Sequence, residues 1–282
     1  MDDCVNACSA SWAAGLKASC ERGAFGCLQR LRVQGMRALV TPQWALDAGT
    51  PGAHWEVEHE EAVEAAMLRT RARLAVVDLP AGMAKSHHLP QTGHFQERHT
   101  RKAPLAAALP ANRRKQVRRA LRAGLTFEED GADLDRLVKL HQGARERKSI
   151  PSDGTALHRL LERLLDEPGA HLHFVLDATG QRIAGGVFLQ TQPGTVLYAF
   201  GGADRSEVSG LATVLLLARS MECAATRGAT EFDFGGSQDP GVDRFYAEFG
   251  GERIPKWRYV RTAPGWSWWW KWRRPDLFSA PA

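Results

Sequence analysis

No apolar run among the 282 residues approaches the roughly 20 that a bilayer span requires, and the opening MDDCVNACSASW has no basic stretch followed by an apolar one. Neither a spanning helix nor a secretory leader is expected, and the default expectation is a cytoplasmic address. Five cysteines, at 4, 8, 20, 27 and 223, are odd in number and form no CxxC pair, which argues against a disulfide framework. They read as reduced thiols, and no metal site is expected. His87, His88 and His94 fall in a Gly/Pro-punctuated stretch without an HExxH pattern and read as a polar loop. There is no GxSxG, and no cysteine stands in a Cys/His arrangement, so a covalent protein nucleophile is not indicated.

What is present is a globular composition, 44% hydrophobic and 24% charged, with two uneven features. Five of the nine tryptophans fall in the segment WSWWWKW at 266–272. The net charge of +5 is also partitioned: residues 98–122 hold nine Lys/Arg and no acid, and residues 256–274 hold six Lys/Arg and no acid. Without those cations the remainder would stand at −10. The basicity is two local patches, as an interaction with phosphates or an anionic surface would use.

The first 93 residues give weak signals: short strands at 35–41 and 73–79 flank a helix over 60–70, which suggests a small α/β unit. From about residue 94 the pattern sharpens. An extended segment at 94–105 precedes a helix RRKQVRRALRA, with Asn112 as its expected cap and Gly124 as its end. Val117, Ala120 and Leu121 form its apolar stripe, and six cations cover the rest. Amphipathic helices follow at 133–147 and 155–166, then strands at 171–177, 183–191 and 195–201, separated by turn residues. A long apolar helix at 209–227, a short strand at 230–234, a helix at 241–249 and a last strand near 253–261 complete the series. Strand, helix, strand in that order favours a right-handed parallel crossover, so the expected α/β fold contains a mixed sheet.

That order, with FGGADR at 200–205, AATRG at 224–228, EFDFGGS at 231–237, GVDRF at 241–245 and FGG at 249–251, resembles the FemAB-like branch of the GNAT acyltransferase superfamily. This branch includes the peptidoglycan aminoacyltransferases. ANRRKQVRRALRAGL at 111–125 looks like its basic helix. The resemblance spans about 94–262 and implies a GNAT-like fold, with 1–93 in the place of a reduced first half of a degenerate tandem pair. Three segments are then expected: 1–93, 94–262 and a Trp/Arg-rich tail at 263–282. The implied activity is acyl or aminoacyl transfer to an amine acceptor, such as a cell-envelope precursor. No cofactor would be permanently bound; aminoacyl-tRNA or acyl-coenzyme A would serve as co-substrate. The alternatives are a coenzyme A-dependent N-acetyltransferase and a non-catalytic nucleic-acid- or membrane-binding protein.

Coenzyme A users of this fold cradle pyrophosphate with a turn Q/R-x-x-G-x-G/A at the start of the long helix, where free amides favour anions. In RSEVSGLA at 205–212, Arg205 and Gly210 fit, but Val208 replaces the middle glycine, which leans toward aminoacyl-tRNA. Ser209 and Gly210 either present amides to a phosphate or form a plain helix start. Asp233 either accepts a proton or holds the Gly235–Gly236 turn by hydrogen bonds. Arg244 either meets a substrate anion or pairs with Asp243 or Glu248, and Tyr246 completes the expected catalytic set. Ser237 and Lys148 are expected beside the same loop. Arg114, Arg118 and Arg119 are the expected phosphate contacts, against the alternative of a solvated face. The tryptophans at 266–272 either touch a membrane headgroup region at its inner face, or fold back into a groove or oligomer contact.

Overall fold

The computed structural model describes residues 19–23, 26–41, 54–55, 57–79, 81–85, 93–150, 152–235 and 239–278. The chain divides into two compact units: residues up to Thr100 together with those from Arg253 onward, and Arg101–Glu252. These boundaries differ from the expected 1–93, 94–262 and 263–282, because the last strand and the Trp segment both pack with the first unit.

The first unit contains strands β1 (Ser19–Gly23), β2 (Gly26–Val33) and β3 (Met36–Val40), helix α1 (Val57–Thr70) and strand β5 (Leu74–Asp78). A separate two-residue parallel pair is made by β4 (His54–Trp55) and β6 (Ala84–Lys85). β1, β2 and β3 are antiparallel neighbours, and β3 then runs parallel to β5 through Ala38↔Leu74, Leu39↔Ala75 and Val40↔Val76. α1 makes that crossover and buries Val63, Ala66 and Met67 on one side. The final strand, β13 (Glu252–Thr262), lies antiparallel to β5, pairing Arg258 with Asp78 and Thr262 with Leu74.

The second unit repeats this plan. After β7 (His94–Pro104), α2 (Ala111–Arg122), β8 (Thr126–Glu128), α3 (Leu134–Glu146) and α4 (Gly154–Leu165) come three antiparallel strands: β9 (Ala170–Leu176), β10 (Arg182–Gln192) and β11 (Thr195–Ala203). The crossover helix α5 (Ser209–Thr226) leads to β12 (Glu231–Asp233), parallel to β11. α6 (Pro240–Ala247) follows. The place beside β12 is taken by Lys102–Pro104 of β7, antiparallel to it. This corrects the expected order, in which the last strand completes the second half. The first unit receives its last strand, β13, from beyond the second unit in sequence, a pairing no local pattern encodes.

Local chemistry explains the element ends. Asp133 caps α3 by accepting the Arg136 N–H at 3.0 Å, and Asp153 caps α4 by accepting the Ala156 N–H at 3.0 Å. α2 begins earlier than expected: its cap is Pro110, and Asn112 lies inside the first turn. Gly124, at φ +78°, ends it in the left-handed region as expected. α5 is apolar nearly all round because it is covered nearly all round, burying Val214, Leu215, Leu216, Leu217 and Met221.

The Trp segment is a short helix, α7 (Ser267–Arg273). Trp270 is 0% exposed and donates its indole N–H to the Arg73 carbonyl at 3.0 Å, packing with Ala38, Leu74, Val76 and Val260. Trp266 and Trp269 cover the same cluster, and Arg73 lies over the Trp266 ring. Trp268 and Trp272, spaced i and i+4, are each 69% exposed. Three rings fold back onto the first unit, as one of the sequence readings has it, and two face outward. No described helix is long and apolar enough to cross a membrane.

Candidate active site

The parallel ladder of β11 and β12 covers only Thr195↔Glu231, Val196↔Phe232 and Leu197↔Asp233. β11 then continues to Ala203 while β12 ends at Asp233, so the two strands part. The register of β10 against β11 slips between Phe188↔Tyr198 and Val187↔Phe200, leaving Ala199 as a bulge where the parting begins.

His141 of α3 and Arg147, which caps that helix, hold the far end of β11. His141 Nδ1 lies 3.0 Å from the Gly201 carbonyl oxygen, and Arg147 donates to the Ala203 carbonyl at 3.0 Å. A carbonyl only accepts, so His141 carries its proton on Nδ1 and keeps a lone pair on Nε2. Burial lowers its pKa, with the Gly201 contact opposing, so the ring is neutral at pH 7. The glycines of FGG at 200–202 make this approach possible. A Cβ on Gly202 would stand 2.3 Å from the Leu140 carbonyl oxygen, and one on Gly201 would collide with the Tyr198 ring. Sequence reasoning placed His141 on a helix but gave it no role. Its signal in the sequence is the FGG at 200–202, whose missing side chains let α3 touch the strand.

Beyond the parting, Asp233 accepts the Gly235 N–H at 2.7 Å, and Gly235 adopts φ +77°. That is the turn-holding alternative for Asp233. Gly236 and Ser237 lie outside the described residues. Lys148 reaches the same loop: its Nζ is 2.6 Å from Asp239 Oδ2, while Asp239 Oδ1 accepts the Gly241 and Val242 N–H groups and caps α6. The Lys148 hydrogen bond and those amides hold the Asp239 carboxyl below its ordinary range.

On the α5 face, aromatic rings run across the sheet toward α6. Phe188 stacks on Tyr198 at 5.3 Å, Phe232 meets Phe234 at 5.0 Å, and Phe234 stacks on Tyr246 at 5.1 Å. Burial pushes the Tyr246 phenol up to about 12 and raises that of Tyr198 further, with the nearby Tyr246 adding to the effect. Both stay protonated donors. Arg244 is not brought to this group: its side chain is 83% exposed and pairs with Glu248 at 3.3 Å. Asp243 is held instead by a bidentate pair with Arg101, both contacts at 2.7 Å.

The basic helix divides in a way its sequence hid. Arg113 is 2% exposed, donates to the Phe245 carbonyl at 2.8 Å, meets Glu248 at 3.3 Å and lies over the Phe245 and Phe249 rings. It joins α2 to α6 and belongs to the core. Arg114, Lys115, Arg118, Arg119 and Arg122 are exposed on one stripe, and among the described residues none has a carboxylate partner. Arg205 and Gly210 are exposed at the start of α5, whose cap is Val208 without a side-chain hydrogen bond. A Cβ on Gly210 would meet nothing within 4 Å, so packing does not require that glycine.

Residues 111–246 match the model of an acetyltransferase (GNAT) domain. A crystal structure of FemX shares 14% identity with TM-score 0.61, over 90% of this chain and 91% of that one. L-PGS from Bacillus licheniformis shares 12% identity with TM-score 0.60, over 89% and 86%. A tandem GNAT protein from the clavulanic acid biosynthesis pathway shares 15% identity with TM-score 0.50, over 86% and 82%. No curated protein sequence matches the chain. The repeated plan of the two units agrees with these likenesses in fold: residues 111–246 match an acetyltransferase (GNAT) domain, and the chain has the fold of the FemX and tandem GNAT structures.

Proposed function

We propose that this protein is an acyltransferase that moves an aminoacyl group from aminoacyl-tRNA to an amine acceptor. The observation that carries this reading is the parting of β11 and β12 in a unit whose α2 bears an exposed, acid-free cationic stripe. In a GNAT-type reaction the amine attacks the ester carbonyl, the tRNA hydroxyl leaves, and the amine loses one proton. The protein's contribution is positioning and charge stabilisation. His141 is the proposed proton acceptor, since its neutral ring presents an Nε2 lone pair near the parted end of β11. Tyr246 is the proposed donor to the developing oxyanion. Lys148 and Asp239 set the loop's position.

The donor assignment rests on charge and on the start of α5. Five exposed cations without a carboxylate partner among the described residues suit a polyanion, whereas Val208 stands where a coenzyme A cradle has glycine. An acceptor at the inner membrane face, such as a cell-envelope precursor, fits the outward Trp268 and Trp272 with Lys271, Arg273 and Arg274 beside them. A second reading, a coenzyme A-dependent N-acetyltransferase, is favoured by the matched acetyltransferase model and by Arg205, Ser209 and Gly210 at the helix start.

The test gives the full chain tRNA charged with labelled amino acids and, separately, labelled acetyl-coenzyme A, each with amine acceptors including muropeptide precursors. Label passing from the charged tRNA supports the first reading, and label from coenzyme A alone supports the second. No transfer from either donor removes the enzymatic reading and leaves a protein that binds through its patches.

A further inference from the structure

β9 carries His171 and His173 at i and i+2, a spacing that puts both rings on one face of a strand. The loop after β8 brings Asp130 to them, with its backbone in the left-handed region at φ +52°. Asp130 Oδ1 lies 2.8 Å from His171 Nδ1 and 3.8 Å from His173 Nε2, and the three ligating atoms fall within 4.8 Å of one another. His173 is 1% exposed, yet its Nε2 has no hydrogen-bond partner. Such an orphaned buried nitrogen is destabilising unless something satisfies it.

We propose that Asp130, His171 and His173 form a binding site for a divalent transition-metal ion of zinc's type. Two imidazoles and one carboxylate are a common ligand set for such ions, which hold nitrogen and oxygen at about 2.0–2.2 Å. At those bond lengths tetrahedral ligand atoms stand roughly 3.3 Å apart, so small movements bring the present 2.8 and 3.8 Å into line. The surroundings match a metal's outer shell. His173 Nδ1 lies 2.8 Å from Ser220 Oγ on α5, a partner that accepts its proton and leaves the Nε2 lone pair to the ion. Arg227 engages Asp130 Oδ2 at 2.8 Å, leaving Oδ1 to face the rings, and Glu129 offsets the Arg227 charge at 2.7 Å. Cys223, nearby on α5, is pushed up to about 11 and stays a thiol outside the ligand set. A cavity of about 30 Å³ beside both histidines has room for a water as fourth ligand. An ion here would tie the β8–α3 loop to β9 beside the end of α5.

The full chain, stripped with a chelator, is dialysed against Zn²⁺ and, in parallel, Co²⁺. The expected result is one equivalent bound with visible Co²⁺ d–d absorption, and affinity at least about tenfold weaker in Asp130→Asn and His171→Asn. His171 is partly exposed, so its variant tests the site even if a His173 substitution fails to fold. Ser220→Ala should weaken binding about 10- to 100-fold without removing a ligand. Absence of stoichiometric binding overturns the proposal. So does an equivalent of Zn²⁺ retained undiminished in both Asp130→Asn and His171→Asn, which would put the ion elsewhere, for instance at the cysteines near the N-terminus.

Discussion

Replacing Arg118 and Arg119 by Gln separates the binding role of α2 from its structural one. Both side chains are exposed, and neither has a carboxylate partner among the described residues, so the folded state loses little; surface changes of this kind stay within about 0.5 kcal/mol. If each of the five stripe cations neutralises one phosphate, the slope of log K against log salt is about −3.5 to −4.5. Raising salt from about 50 to 200 mM then weakens tRNA binding by about 100- to 500-fold. With two cations removed the slope falls to about −2 to −3, and the same change costs only about 20- to 40-fold. Filter binding of labelled tRNA to the full chain across a salt series measures both slopes, with circular dichroism confirming that the double variant is folded. A parent affinity that moves less than about threefold over this range, or a double variant that keeps the parent's slope, would refute the assignment of this stripe to a polyanion.

Arg113→Met, on the same helix, should behave oppositely: it loses two ring contacts and the Phe245 carbonyl bond, costing about 2–4 kcal/mol in urea unfolding while leaving the salt slope unchanged. Gly202→Ala drives a Cβ against the Leu140 backbone and should cost about 1–3 kcal/mol along with transfer activity; Gly210→Ala, in open space on a helix, should be neutral or stabilising by up to about 1 kcal/mol in the same melts. Trp270→Ala opens a cavity worth about 3–5 kcal/mol, whereas Trp268→Ala should leave urea unfolding unchanged and weaken sedimentation with anionic vesicles. In metal-free protein His173 has a folded pKa of about 4, below the ordinary 6.5, so the unfolded state takes up more protons between these values. Stability is therefore full above about pH 6.5 and falls by about 3 kcal/mol as pH drops to about 4; His173→Phe should flatten that stretch of the unfolding profile.

Much of the second unit could be read from periodicity. The helix expected at 209–227 is α5 at Ser209–Thr226, and the three strands expected from 171 to 201 are β9, β10 and β11, because long apolar helices and turn-bounded strands advertise themselves locally. The first unit was only partly legible: its α1 and flanking β3 and β5 were expected, while β1 and β2 were not. The sheet partners of β7 and β13 could not be read, since nothing within a strand states which distant strand it will meet.

The candidate site divides the same way. Composition alone established that the cations are concentrated in two patches, that five tryptophans cluster near the end, and that a covalent nucleophile is not indicated. Asp233, Lys148 and the Gly235 turn were named from motif order and do lie around one loop. Only the tertiary structure decided that Arg113 is core while Arg114 and Arg118 are surface, that Trp270 is buried while Trp268 is not, and that Asp130 meets two histidines about 41 residues away. The physical reason is burial: a sequence fixes the charge and shape each side chain carries, but whether that charge is solvated or paired, and beside what, depends on contacts between residues far apart along the chain.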